Sequence, residues 1–402
     1  MRRVVRDDLN DDDATTLRAY PLARARTDAP PLDPSSFTRF SFIFINFIHG
    51  WIGAVHGDAR RRRARERRTD ARTHGEMSTR ARGTFETSHA DGVHDCAYDY
   101  YGRRVATASS DRTIRIFDVD AREGDGEEEA SGGGGEHGAR GTHVATIAGH
   151  DGPVWACAWA HPKFGTLLAS ASFDHSVMIH KETEPNVFAC AYKTPVGTHD
   201  GSVNAISWAP HEYGAKLACA SSDGTVSVIS YDASAGTWGV EKIERAHAVG
   251  CTGVSWAPAA TPGSLVGGGG GGAVVDAKRL VTCGCDNLVK IWRRDEAQNA
   301  WGCEATLSAH ADWVRDVAWS ENLGLPMNTI ASCGQDGKVF IWTQSEPRGP
   351  WQSRQLHDFG APVWRVSWST MGNILAVSDG NNTVTIWKES VDGTWNQISA
   401  AA

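Results

Sequence analysis

The sequence predicts an all-β fold, a six-bladed β-propeller. Three observations carry that expectation. One phrase recurs six times between residues 89 and 387: a His-bearing turn, a strand ending in Trp or Tyr, a strand of small residues, then Asp-x-x-[Ile/Val]-x-[Ile/Val]-aromatic. The third strands end at Phe117, His180, Ile229, Trp292, Trp342 and Trp387, with later spacings near the ~40–45 residues of one propeller blade. The two longer intervals each hold an insertion, at 120–141 (acidic, then glycine-rich) and at 261–276 (a run of glycines). Such segments bury too little apolar surface to offset chain entropy, so both read as mobile surface loops outside the blades.

The blades follow in order. Blade one has its turn histidine at His89 and its turn aspartate at Asp111. In blade two, Val154 to Trp159 puts every second residue on one face, as a half-buried strand does, and Leu168-Ala169-Ser170 follows. Blade three repeats this with His199, Val203 to Trp208, Leu217-Ala218-Cys219 and the tight-turn pair Asp223-Gly224. Blade four has His247 and Asp286-Asn287. Blade five is the fullest copy: His310, Val314 to Trp319, Ile330-Ala331-Ser332, then Asp336-Gly337 leading to Trp342. Blade six has Leu375-Ala376-Val377, with Asn381 in the aspartate register. The small second strands let neighbouring blades approach near the axis.

Recurring His, Ser and Asp could suggest a hydrolase triad. A catalytic set occurs once, whereas this one returns in blade after blade. The pattern resembles WD-repeat proteins, in which His, Ser, Asp and Trp form a buried hydrogen-bonded network within a blade. Here His310, Ser332, Asp336 and Trp342 supply all four types, and His150, Asp174, His247, Asp286 and Trp292 supply parts of it. His180 and Ile229 stand in the Trp place, so blades two and three are expected to be less firmly latched.

Composition narrows the function. A net charge of −8 argues against general nucleic-acid binding. The 16 Trp follow from the repeat and need no ligand cage. The nine Cys show no disulfide framework and read as reduced thiols. Cys283-Gly-Cys285 is one residue short of a zinc knuckle and has no second pair. No metal, cofactor or catalytic set is expected.

Residues 1–76 carry no repeat. They hold Asp11-Asp12-Asp13, a Pro-rich stretch, an apolar run from Phe40 to Val55 and an Arg block from Arg60 to Arg68. The run is shorter than the roughly 20 residues of a spanning helix and lies too far from residue 1 for a simple signal peptide. Three readings stand: a membrane anchor with a basic flank, a disordered or targeting extension, or translation of sequence upstream of a true start at Met77. The third is the expectation, because blade text begins within ten residues of Met77. The propeller domain is therefore expected at 77–399.

Several stretches go further than a generic repeat. They are Gly152-Pro153-Val154-Trp155 with Ala158 to Gly165, Trp208 to Gly214, Gly250 to Pro258, Cys285 to Trp292, His310 to Trp319, and Trp387 to Trp395. Together, across about residues 84–398 and in order, they closely resemble the Sec-thirteen family of small WD-repeat subunits of the COPII outer coat, also found in the Y-shaped scaffold of the nuclear pore. The resemblance implies an open six-bladed propeller, completed in trans by a seventh blade from an α-solenoid partner. That partner would be a large coat subunit of the Sec-thirty-one type or a solenoid nucleoporin. A nutrient-signalling complex is a third implied setting. Membrane contact would be peripheral, on COPII vesicles and the ER, with a second pool at the nuclear envelope. The leader, the insert after blade one, His180 and Asn381 are departures from the family pattern.

A strand count supports openness independently. Outer strands are expected at 84–87, 143–147, 188–193, 238–243, 301–307 and 351–356, and a further one at 395–399 completes the last blade. The strand around Phe85 is then left over beside a gap between blades one and six, where a partner would add by β-augmentation. In the alternative count it closes blade six. Candidate partner-binding residues flanking the gap are Phe85, Thr87, Tyr98, Tyr100, Trp364, Trp368, Trp387 and Trp395. The rival reading is a closed, peptide-reading adaptor with an axial pocket lined by Trp155, Trp313 and Trp364.

Overall fold

The computed structural model of the chain describes residues 85–119, 141–259, 278–321, 327–346, 349–390 and 392–401. The leader and nearly all of both insertions lie outside the described residues, although Gly141 itself opens a strand. Blade one contains β1 (Val93–Tyr98), β2 (Arg104–Ser109), β3 (Ile114–Val119) and β4 (Gly141–Ile147). Blade two contains β5 (Val154–Trp159), β6 (Leu167–Ser172), β7 (Val177–Glu184) and β8 (Val187–Lys193). Blade three contains β9 (Val203–Trp208), β10 (Lys216–Ser221), β11 (Val226–Asp232) and β12 (Thr237–Ile243). Blade four contains β13 (Cys251–Trp256), β14 (Arg279–Gly284), β15 (Leu288–Asp295) and β16 (Ala300–Ser308). Blade five contains β17 (Val314–Trp319), β18 (Asn328–Gly334), β19 (Lys338–Gln344) and β20 (Gln352–Asp358). Blade six contains β21 (Val363–Trp368), β22 (Ile374–Asp379), β23 (Val384–Glu389) and β24 (Trp395–Ala401).

Each blade is one antiparallel sheet of four consecutive strands. β24 pairs with β23 as the outer strand of blade six, and among the described residues no sheet joins the two ends of the propeller. The ring is open between blades six and one. The segment around Phe85 differs from expectation: residues 85–88 form no strand. Phe85 instead packs tilted against Phe117 at 5.1 Å, and the Thr87 carbonyl accepts from Arg115 Nη1 at 3.1 Å, both within blade one.

Local chemistry explains the repeat. The residue after the turn aspartate (Asn381 in blade six) has positive φ in every blade: Arg112, His175, Gly224, Asn287, Gly337 and Asn382, at 62–82°. Glycine suits Gly224 doubly, because a Cβ there would press on the His247 carbonyl. The second strands are alanine-rich because Ala106, Ala108, Ala169, Ala171, Ala218 and Ala220 are fully enclosed between sheets.

The latches run from an indole to a carboxylate. Trp Nε1–H can only donate and an ionised Asp can only accept, so the proton direction is set. In blade five, Trp342 Nε1 donates to Ser332 Oγ (2.9 Å), which meets His310 Nε2 (2.9 Å), while His310 Nδ1 meets Asp336 (3.1 Å). Blade four builds the same chain with threonine: Trp292 to Thr282 2.9 Å, Thr282 to His247 2.8 Å, His247 to Asp286 2.7 Å. Blades one and two keep only the His–hydroxyl and His–Asp parts, through His89 with Thr107 and Asp111, and His150 with Ser170 and Asp174. Burial pushes the Asp174 carboxyl up, but hydrogen bonds from His150, Ser176 and the Asp151 N–H outweigh it and hold the group well below the usual carboxylate range. In blade three Cys219 takes the hydroxyl place, and His199 Nε2 turns to Ser227 on the adjacent strand (2.8 Å), with Asp223 at a longer 3.6 Å. Blade six has Phe359 and Asn381 in the His and Asp places; Asp379 caps the turn through the N–H groups of Asn381 and Thr383.

Candidate partner interface: the opening between blades six and one

Four of the five closed junctions share one construction. The Trp ending each innermost strand reaches back to the preceding blade. Trp159 Nε1 donates to the Ala97 carbonyl, Trp208 to Ala158, Trp256 to Ser207 and Trp368 to Ala318, all at 3.0 Å. Trp319, at the fourth junction, packs on Trp351 (5.7 Å) and beneath Arg279 (5.3 Å), with its Nε1 unpartnered. An apolar cluster fills each of these junctions; between blades one and two it holds Ala106, Ala108, Ile114, Ile116, Val154 and Leu168.

The sixth position lacks this construction. Blade one has Tyr98 where the other five blades have the terminal Trp. The Ser367 carbonyl of blade six stands in the place of Ala318, the acceptor one junction earlier. Blade six keeps a small apolar cluster of its own, Ala376, Val384 and Ile386 backed by Ile374 and Ile398, to which blade one contributes no residue. Side chains alternate across a strand, so Ala106, Ile114 and Ile116 face blade two while Val105 and Phe117 face the opening. The opening is thus bounded by two sheet faces of the kind that pair at the other junctions.

At its axial end the opening is crossed by charge. Arg365 Nη2 of β21 lies 3.7 Å from Asp95 Oδ1 of β1. Asp95 Oδ2 also accepts the Cys157 N–H at 3.0 Å, and Asp316 Oδ2 accepts the Val366 N–H at 3.1 Å. Asp95 raises the Arg365 pKa further, while burial pushes both carboxyls up against the opposing field of Arg365.

The predicted partner residues divide. Phe85, Thr87 and Tyr98 belong to blade one; Phe85 covers the opening-side Phe117. Tyr100 lies toward blade two, against His161 (4.8 Å), which itself stacks on His211 (4.1 Å). Trp368, Trp387 and Trp395 pack into the cluster between blades five and six, away from the opening. Trp364 is about half exposed and lies over the Arg315 guanidinium (5.0 Å), with Trp313 on the same cation at 5.3 Å. Each innermost strand bulges at its second residue, which re-aims Trp155, Arg315 and Trp364. The axial aromatic pocket of the rival reading therefore has its own arginine between two of its indoles. Asp95, Asp316 and Arg365 were not singled out from sequence. Their signal was a charge at the third place of an apolar strand where other blades have Ala156, Ala205 and Gly253.

The WD domain, G-beta repeat family matches residues 81–118, 141–181, 192–230, 301–343 and 352–388. The chain is 50% identical over 317 residues to the Protein SEC13 homolog of Bos taurus, covering 79% of this chain and 92% of that one. It is 51% identical over 315 residues to the Protein transport protein SEC13 homolog A of Arabidopsis thaliana, covering 78% and 97%. The Protein transport protein SEC13 of Yarrowia lipolytica matches at 46% over 321 residues, 78% and 97%. The chain belongs to the SEC13 family.

In this SEC13-family chain the blade-two latch holds a buried, unpartnered ring nitrogen. His180 occupies the indole place of blade two, is 2% exposed, and its Nδ1 has no partner. Burial pushes its pKa down to about 4, assisted by His150. The folded state thus favours neutral His180, and the unfolded chain, near the ordinary histidine value of 6.5, takes up the proton first. Stability from this site is full above pH ~6.5 and falls as pH drops toward about 4. His180→Phe, the residue type blade one uses, will flatten the fall of melting temperature over that range relative to wild type; equal slopes would refute the assignment. All nine cysteines are free thiols; burial pushes Cys219 up to about 12, and Cys283 well above its ordinary value. Among the described residues no helix is long and apolar enough to cross a membrane.

Proposed function

We propose that this chain is the small, non-enzymatic scaffold subunit of the COPII vesicle coat, acting in ER-to-Golgi protein transport, and of the nuclear pore scaffold. In both settings an α-solenoid partner inserts a seventh blade into the opening. The observation that carries the reading is the open junction: two sheet faces of the standard kind, without the shared cluster of the other five or the indole tie found at four of them. Because β24 already fills the outer place of blade six, the entering element packs as a further sheet between faces. The names of two family relatives, protein transport proteins, support the transport reading. The partners are a large coat subunit of the Sec-thirty-one type and a solenoid nucleoporin, with nutrient-signalling subunits as a third group. The protein then resides on COPII vesicles and the ER membrane through the coat, and at the nuclear envelope. A hydrolase reading is disfavoured because the latch hydroxyls of Ser170 and Ser332 are fully buried.

The test is co-expression of the full chain with and without the insertion segment of a candidate solenoid, followed by gel filtration. A one-to-one complex, with the chain alone less stable, is expected. A stable monomer that ignores every such segment would overturn the reading.

A further inference from the structure

The third residue of each innermost strand looks toward the following blade at the axis. At two junctions this residue is an acceptor: Asp95 takes the Cys157 N–H and Asp316 takes the Val366 N–H, at 3.0 and 3.1 Å. Blade six reverses the chemistry. Its third residue is Arg365, which can only donate. An innermost strand following blade six cannot satisfy it with an N–H. In the free protein its counter-charge is Asp95, an ion pair at 3.7 Å across the opening. Asp95 is thereby shared, since its other oxygen already holds the Cys157 N–H.

A strand entering the opening parts Arg365 from Asp95. The entering blade covers the guanidinium, whose side chain is 45% exposed in the free protein, beside Asp316, its other carboxylate neighbour, which is committed to the Val366 N–H. A cation enclosed without a full counter-charge is costly, and a carboxylate meets the guanidinium fork better than a neutral acceptor does. Resting on the reading that a partner blade enters here, we propose that Arg365 reads a carboxylate: the entering innermost strand carries an Asp or Glu opposite it, and Asp95 fills that place as an internal competitor until the partner arrives.

This predicts opposite effects from the two halves of one ion pair. With a fluorescently labelled solenoid insertion segment titrated against the full chain, Arg365→Gln will weaken binding about tenfold or more, the scale of a charge-assisted hydrogen bond. Arg365→Lys, which keeps the charge, will recover part of it. Asp95→Asn keeps an oxygen for the Cys157 N–H but no longer competes for the guanidinium, so it will tighten binding. A segment with its acidic residues changed to amides will bind wild type weakly and will not distinguish Arg365→Gln from it. If both Arg365→Gln and Asp95→Asn shift affinity in the same direction, or neither shifts it, the carboxylate-reading role is overturned while the opening remains the partner site. If wild type binds no segment at all, the reading of the opening falls and this role with it.

Discussion

Asp336→Ala will lower the stability of the protein by about 3–5 kcal/mol, seen as a shift in the urea midpoint. The carboxylate accepts from His310 Nδ1 and from the backbone N–H groups of Ala311 and Lys338, and its side chain is 6% exposed. Removing it leaves three donors short of an acceptor, two of them part-buried and the Ala311 N–H exposed, at about 1–3 kcal/mol for each buried donor, less whatever water recovers. It also frees the His310 ring, so the Ser332 and Trp342 links lose their anchor. Asp336→Asn keeps one acceptor oxygen and will cost less. A midpoint unchanged in the alanine variant would mean that the chain of bonds in blade five is ornamental to stability.

Trp256→Ala will cost about 3–5 kcal/mol, the usual range for emptying a buried indole site. Trp256 is 5% exposed, packs on Trp301 at 5.8 Å, and ties blade four to blade three through the Ser207 carbonyl. Trp256→Phe separates the two contributions. It keeps most of the ring and deletes the hydrogen bond, and will cost nearer to about 1 kcal/mol. Calorimetry on both variants checks the partition: equal losses would mean that the hydrogen bond, not the packing, holds the junction.

The fold was legible because its rules are local. Turn aspartates, alanine strands and alternating Trp-ended strands are spaced within one blade, and the six sheets follow that spacing. The blade-five network was legible because all four residue types were present in register. Blade four was underread because Thr282 offers the same hydroxyl under a different name. Blade three was beyond reading, since Ser227 substitutes from the neighbouring strand once Cys219 removes the hydroxyl. The opening was only half legible. Counting outer strands correctly gave β24 to blade six, yet the extended text around Phe85 forms no strand and folds onto Phe117. Arg365 and Asp95 are 270 positions apart and meet only when the ring is assembled, so no local pattern could have paired them.

The order of strands within each sheet has a kinetic consequence. Every ladder joins neighbours along the chain; the longest blade runs from Cys251 to Ser308. A propeller that closes by exchanging a strand between its ends cannot finish any ring-wide sheet until synthesis is complete, and that last pairing carries the largest loop-closure entropy. Among the described residues there is no such step. Blade one is complete once Ile147 has emerged, and each later blade can dock on a finished neighbour. The final union of the two ends is transferred from the folding of one chain to the meeting of two.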